Sequence, residues 1–230
     1  MKIISMNINK RGNTLGKRSD FMTWLNIISP QIICLQEVCR SDVFMTNDFL
    51  TYKWVAGTHN SAIYLHDEIA YQNASATKNF SLLYLKNKTL IVSLYLSAYK
   101  SSERIRQLRV LSEQLDEFSA TEDIENIIIV GDFNLAPRED DGLVNGNVSK
   151  FTSKKERNVF AAFLQQFDLR DLGINEGFTI EKKNKRYHTQ FRVDLALVHT
   201  KKEINAHWDH GVRQEHLFTD HSAIILDVRS

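Results

Sequence analysis

The sequence predicts an α/β fold in which two packed β-sheets are flanked by helices. Ile127–Val130 and Ile32–Leu35 are apolar at every residue, so strands built from them must be covered on both faces. Patterns with helical spacing are interspersed among the strand runs, which suits helices covering stacked sheets. The chain has 230 residues, 43% of them hydrophobic, two prolines, and no internal repeat, low-complexity tract or Pro/Gly-rich linker, so a single domain over 1–230 is expected.

Taken in order, Lys2–Ile8 reads as a short strand. Phe21, Trp24, Leu25 and Ile28 recur at helical spacing, predicting a helix capped by Ser19, running to about Ser29 and stopped by Pro30. "QIICLQEV" is then a buried strand with Glu37 at its end. Residues from Tyr52 to Tyr71 supply the strands "YKWVAG" and "SAIYLH", and "FSLLYLKNKTLIVSLYL" reads as a hairpin turning at Asn87-Lys88. Ile105, Leu108, Leu111, Leu115 and Phe118 mark an amphipathic helix from near Ser101. "NIIIV" follows as a strand. Ser153 and Glu156 form a capping box for a helix carrying Phe160, Phe163, Leu164 and Phe167. "GFTIE", "FRVDLALVH", "EINAHWDH" and "SAIILDV" make a strand-rich end.

A formal net charge of +1 excludes a global field directed at nucleic acid, so any basic surface is local. The two cysteines, Cys34 and Cys39, have neither metal-ligand nor redox spacing and read as packed thiols of a reducing cytoplasm. "MKIISMNINKRG" is apolar for too few residues to be a signal peptide, and no apolar run approaches the ~20 residues of a membrane helix. A monomer without membrane association is expected.

Polar residues gather where apolar runs end. Asn7 and Asn9 follow the first strand and Glu37 the second. Tyr95 comes late in "IVSLYL", and Asp132 and Asn134 follow "IIIV". Asp220 and His221 precede the last strand. Each has a structural explanation, since Asn and Asp commonly terminate strands. Asp194, inside "FRVDLALV", is different. An apolar strand makes an unpaired carboxylate costly there, so it needs a partner, and a histidine is the natural one. Glu37, Asp132, Asp194 and Asp220 with His221 match the needs of metal-assisted phosphodiester hydrolysis: oxygen ligands for Mg²⁺, positive charge for the phosphate, and a carboxylate for the attacking water.

At these residues the chain resembles the endonuclease/exonuclease/phosphatase superfamily. "LQE", "GDFN" and "DHSAI", in that order, carry the resemblance, together with "SMNINKRG", "VSLYLSAY" and "FRVDLALVH". "NIN", Ala136-Pro137 and the turn into the "ER" helix look most like exonuclease III and the abasic-site endonucleases. The resemblance implies a deoxyribonuclease I-like four-layer αββα sandwich of two mixed sheets. It further implies Glu37 as principal Mg²⁺ ligand, with Mn²⁺ as the alternative ion, and Asn9 and Asp220 completing the shell. Asp132 would orient or activate water, with Asn134 bracing it and Asn7 in support. Tyr95 would reach a phosphate oxygen, and His221, set by Asp194, would bind the scissile phosphate.

DNA is the expected substrate, through a 3′→5′ exonuclease or abasic-site endonuclease activity. Phe178, Phe191 and Val193 stand where the resemblance implies a small apolar sugar pocket. Lys10 and Arg11, with Lys17 and Arg18, follow the first strand and could contact phosphates, and "EKKNKRYH" (181–188) offers a second contact on a projecting hairpin. Ile180 or Phe191 replaces the usual pocket tryptophan, and Thr219 and Ala223 replace the Ser and Pro that flank the Asp-His pair. The alternatives are the same chemistry on RNA, a nucleotide or a lipid phosphodiester, and a non-catalytic protein that only binds nucleic acid.

Overall fold

The computed structural model describes residues 1–9, 15–38, 51–215 and 219–229, apart from the side chains of 15–18. Strand β1 (Lys2–Asn7) leads through helix α1 (Leu15–Ile28) to β2 (Ile32–Gln36), which lies parallel to it. Next come β3 (Tyr52–Gly57), β4 (Ser61–His66), β5 (Tyr71–Ala76), β6 (Phe80–Leu85) and β7 (Thr89–Tyr95). Helix α2 (Ser101–Thr121) then leads to β8 (Asn126–Asp132), parallel to β7. The remainder is β9 (Gly142–Val144), β10 (Asn147–Val148), α3 (Lys154–Gln166), β11 (Arg170–Asp171), β12 (Ile180–Lys183), β13 (His188–Phe191), β14 (Asp194–His199), β15 (Ile204–Asp209), the one-turn α4 (Gly211–Gln214) and β16 (Ala223–Val228).

Two six-stranded mixed sheets result, ordered β15-β16-β1-β2-β4-β3 and β11-β14-β8-β7-β6-β5. Each has one parallel pair near its centre, joined by a helix; the other pairings are antiparallel. Strand alternation assigns the faces. Ile3, Ile32, Cys34, Ile63 and Ile224 of one sheet meet Ile91, Ile128, Val130, Ala196 and Val198 of the other. On the outside, Phe21, Trp24 and Leu25 of α1 cover Ile4, Met6, Ile33 and Leu35, while Leu108, Leu111 and Leu115 of α2 and Phe160 and Phe163 of α3 cover Leu90, Val92, Ile127 and Ile129. Those are the four layers, with the helices outermost. Among the described residues, no helix is long and apolar enough to cross a membrane.

Several sequence expectations need correcting. Helix α1 begins at Leu15, so Ser19 is an exposed residue inside it rather than its cap. Leu15, Lys17 and Arg18 are good helix formers, and they extend the helix beyond its apolar stripe. Its end falls as expected: Ser29 donates its N–H to Leu25 O with φ +48°, and Pro30 follows. β5 lacks an apolar run and went unpredicted, being mostly exposed. "FRVDLALVH" is not continuous, because the Arg192 N–H turns to Asp141 O and the Val193 N–H to the Thr179 hydroxyl. The chain therefore passes from β13 into β14, which belong to different sheets. β13 joins a third sheet ordered β10-β9-β13-β12, and "EKKNKRYH" is its β12–β13 hairpin, turning on Asn184. Cys34 is buried and free, and Cys39 lies outside the described residues.

The capping box of α3 is formed: Glu156 N–H donates to Ser153 Oγ (3.2 Å), and Ser153 N–H to Glu156 Oε2 (2.7 Å). Glu156 also accepts from Arg104, which is equally buried and donates onward to Ser97 O and Phe151 O. Burial alone would raise the Glu156 carboxyl. The Ser153 backbone and Arg104 outweigh it and hold the group below its ordinary value of 4.5. A folded value below the unfolded one means stabilisation present above that unfolded value and lost as pH falls through the folded value. Arg104→Met should thus lower unfolding free energy at pH 7 by ~3–5 kcal/mol, read from urea denaturation, because it strands a buried carboxylate. The difference from wild type should shrink in acid.

Candidate active site

The polar residues singled out in the sequence converge at one edge of the two main sheets. The parallel strands β1, β2, β7 and β8 end there, and the antiparallel β14 and β16 begin there. Tyr95, Asp132 and Asp194 stand in one row, since Tyr95 pairs with Asp132 and Asp132 with Asp194 in the strand registers. Asn7 and Glu37, with Asp220 and His221 just before β16, come from the facing sheet. Each strand keeps its period of two: Ile3–Ser5–Asn7, Ile91–Ser93–Tyr95 and Ile128–Val130–Asp132 run from apolar to polar along the inner face. Below the site, Gln36 Nε2 bridges Ser5 Oγ and Ser93 Oγ at 3.1 Å each, tying the sheets together.

"GDFN" divides into four tasks. Gly131 (φ +143°) lies so close to β7 that a Cβ would meet Leu94 O at 2.1 Å. Asp132 turns inward to the site. Phe133 points outward and packs edge-on against Phe160. Asn134 takes φ +47° and ends the strand. Its backbone N–H donates to Asp132 Oδ1 (2.9 Å), while its amide goes to Leu96 O (2.9 Å). The side-chain amide on Asp132 belongs instead to Asn7, which reaches Oδ2 at 2.9 Å and Glu37 Oε1 at 3.3 Å. Asn9 and Glu37 also sit at positive φ, +47° and +51°. Three left-handed non-glycine residues at one edge form a cluster of the kind found at functional sites.

His221 Nδ1 lies 2.9 and 3.1 Å from the two oxygens of Asp194, so the buried carboxylate has the partner its strand position requires. Burial opposes the imidazolium, but the charge and hydrogen bond of Asp194, with Asp132 and Asp220 behind them, push its pKa up to about 9. Asp132, 1% exposed, is raised to about 7, first by burial and then by the Asp194 charge. Burial, followed by the charges of Glu37 and Asp132, pushes the Tyr95 phenol upward, so it stays a donor, to Glu37 Oε1 at 2.9 Å. For Asp220, burial is outweighed by His221, Lys182 and Asn9, which hold it at about 2. Thr219 links these parts: its hydroxyl donates to Asn7 O and accepts the His221 N–H (3.1 Å).

Asp132, Asp194 and His221 bring potential ligand atoms within 4.8 Å of one another. This buried group could itself hold a metal ion. Glu37, Asn9 and Asp220 share the adjoining cleft and offer oxygens alone, the donor set that suits a hard divalent cation.

The cleft holds about 280 Å³, with Phe151, Ile180, Phe191 and Val193 as its apolar wall. Phe178 does not line it. Phe178 precedes β12, whose first residue Ile180 lines the cleft instead, and it gives its carbonyl to Arg213. Phe151, Thr189 and Lys182 were not singled out from the sequence as cleft residues, and Phe151 carries no local motif. Arg192, behind the wall, reaches Asp141 (2.8 and 2.9 Å) and Asp171 (2.8 and 3.1 Å) and is 1% exposed. A lone arginine inside an apolar run is the signal that such an anchor leaves. Lys10 and Arg11 lie outside the described residues, as do the side chains of Lys17 and Arg18.

Residues 4–221 match the family model described as Endonuclease/Exonuclease/phosphatase family. The whole chain aligns with TDP2 from Caenorhabditis elegans at TM-score 0.68 and 15% identity, covering 75% of that chain. A truncated form of the same protein gives 0.69 and 15% over 97% of its chain. The endonuclease domain of TRAS1, a telomere-specific non-LTR retrotransposon, gives 0.70 and 14%, with 100% of this chain and 98% of that one covered. Among curated proteins, none matches the sequence. At such identities the structural likeness establishes the fold alone.

The His221–Asp194 pair makes a prediction of its own. In metal-free protein, NMR titration of the His221 ring should give a pKa raised to about 9. Asp194→Asn should bring it down toward the ordinary 6.5, since the imidazolium loses its nearest anion.

Proposed function

We propose that this chain, which belongs to the endonuclease/exonuclease/phosphatase family, is a metal-dependent phosphodiesterase that cleaves DNA by attack of water on phosphorus. The observation that carries the reading is the convergence of Glu37, Asp132 and His221 on one cleft, with Asn7 and Asp194 hydrogen-bonded behind them. Asp132 accepts the proton of the attacking water. Burial and the neighbouring Asp194 charge raise its pKa above the ordinary carboxylate value, which makes it a better proton acceptor, and Asn7 with the Asn134 backbone fixes its orientation. His221, kept cationic by Asp194, donates to a non-bridging phosphate oxygen as charge accumulates there, and Tyr95 and Asn134 position the phosphate. A divalent cation, Mg²⁺ or alternatively Mn²⁺, held by Glu37 with Asn9 and Asp220, would draw negative charge from the phosphate.

Two features support DNA as the substrate. The hairpin beside the cleft carries Lys183, Lys185 and Arg186, all exposed, as contacts for the phosphate backbone. The apolar wall of Ile180, Phe191, Val193 and Phe151 suits a sugar without its base more than a stacked base pair. At about 280 Å³ the cleft is just below the range of pockets for drug-sized ligands, about 300–1,000 Å³. This favours abasic-site incision or 3′→5′ removal of single nucleotides. One structural neighbour is itself an endonuclease domain.

The test is incubation with Mg²⁺ and a duplex bearing one abasic site, beside a blunt duplex. Wild type should cleave at least one, and Asp132→Ala neither. His221→Ala should lower kcat by ~10²–10³ and leave DNA affinity nearly unchanged, because its contact strengthens in the transition state. Both duplexes surviving wild type would refute the DNA reading, and turnover of RNA, a nucleotide or a lipid phosphodiester would then identify the substrate.

A further inference from the structure

Lys182 lies on β12 opposite Thr189 of β13, and both side chains line the cleft. Its ammonium stands 3.0 Å from Asp220 Oδ2, although Lys182 is 62% exposed and Asp220 only 14%. The other Asp220 oxygen accepts from Asn9. A carboxylate assigned above to the cation shell thus already carries a cation, delivered by a hairpin from the third sheet. Among the described residues the cleft lining includes no other lysine or arginine. The neighbouring Glu181 is engaged elsewhere, by His188 (2.5 Å) and Arg213 (3.3 Å), so it does not hold Lys182 back.

An ion pair with so exposed a lysine is weak, and a divalent ion gains far more on an oxygen shell. The flexible stem lets the displaced ammonium move within the cleft, and a compact point charge of this kind suits a phosphate.

We propose that Lys182 is a substrate-positioning residue held in reserve on Asp220: a divalent cation displaces its ammonium, which then pairs with a phosphate flanking the one cleaved. This rests on the reading of Asp220 as part of the cation shell. It gives Lys182 two effects of opposite sign, against the cation and in favour of the DNA. A lysine that merely braced the hairpin would have neither.

The cation arm is Mn²⁺ binding without DNA, read from the electron paramagnetic resonance signal of free Mn²⁺, for wild type, Lys182→Met and Asp220→Asn. Lys182→Met should bind Mn²⁺ about two- to fivefold more tightly, and Asp220→Asn more weakly. The DNA arm is fluorescence anisotropy with labelled duplex and Mn²⁺ in an Asp132→Ala background, where no cleavage is expected. There Lys182→Met should weaken binding and reduce the salt-dependence slope by about 1. If Asp220→Asn weakens Mn²⁺ binding but Lys182→Met leaves it unchanged, the proposal is overturned and the assignment of Asp220 stands. An unchanged salt slope also overturns it. If Asp220→Asn binds Mn²⁺ like wild type, the cation-shell assignment fails and the proposal with it.

Discussion

Asp132 and Asp194 face each other in register on neighbouring strands, both buried, and like charges placed so are destabilising unless a cation intervenes. That cation is His221, which arrives from the opposite sheet. The site is consequently a property of the contact between the sheets rather than of either one. Separating them would leave two carboxylates without compensation and a histidine without the charge that keeps it protonated.

The architecture makes this contact dependable. Each sheet presents the same arrangement to the other: two parallel strands ending at the active edge, β1 and β2 against β7 and β8, with an antiparallel strand beginning beside them, β16 or β14. In open α/β sheets, ligand-binding side chains collect at the carboxyl ends of parallel strands. Packing two such sheets face to face brings two of those ends together. The inner faces pass from Ile through Ser or Val to Asn, Tyr or Asp as they near that edge, and the serines, with Gln36, hydrogen-bond between the sheets. Dry packing below and a polar rim above hold the side chains of the site in place.

The cleft walls depend on a second device, the buried arginine. Arg104 binds Glu156 and donates to the carbonyls of Ser97 and Phe151, so one guanidinium ties α2, the α3 cap and two loops beside the site. Arg192 does the same for Asp141 and Asp171, just where the chain passes from the third sheet into β14. Five donors in a rigid fork let one residue satisfy several loop carbonyls and carboxylates at once. The loops around the cleft are therefore anchored from beneath, while the β12–β13 hairpin leaves Lys183, Lys185 and Arg186 in solvent.

Much of this could be read in the residues. The apolar runs of β2 and β8 required cover on both faces, the stripe of α2 was plain, and Asp194 in an apolar strand needed a histidine. Such features are legible because they follow from local periodicity and from the cost of an unpaired buried charge. The inward progression Ile3–Ser5–Asn7, repeated in β7, was also open to reading and would have marked the inner faces. What only the tertiary structure decided concerns groups distant in the chain: Ile180 rather than Phe178 in the cleft wall, Asn7 rather than the Asn134 amide on Asp132, the passage between sheets at Arg192, and Lys182 on Asp220. The sequence by itself determined which residue types the chemistry requires and which strands carry them. Which of them touch was decided by the packing of one sheet on another, because a side chain's neighbours across a sheet interface leave no spacing in the chain.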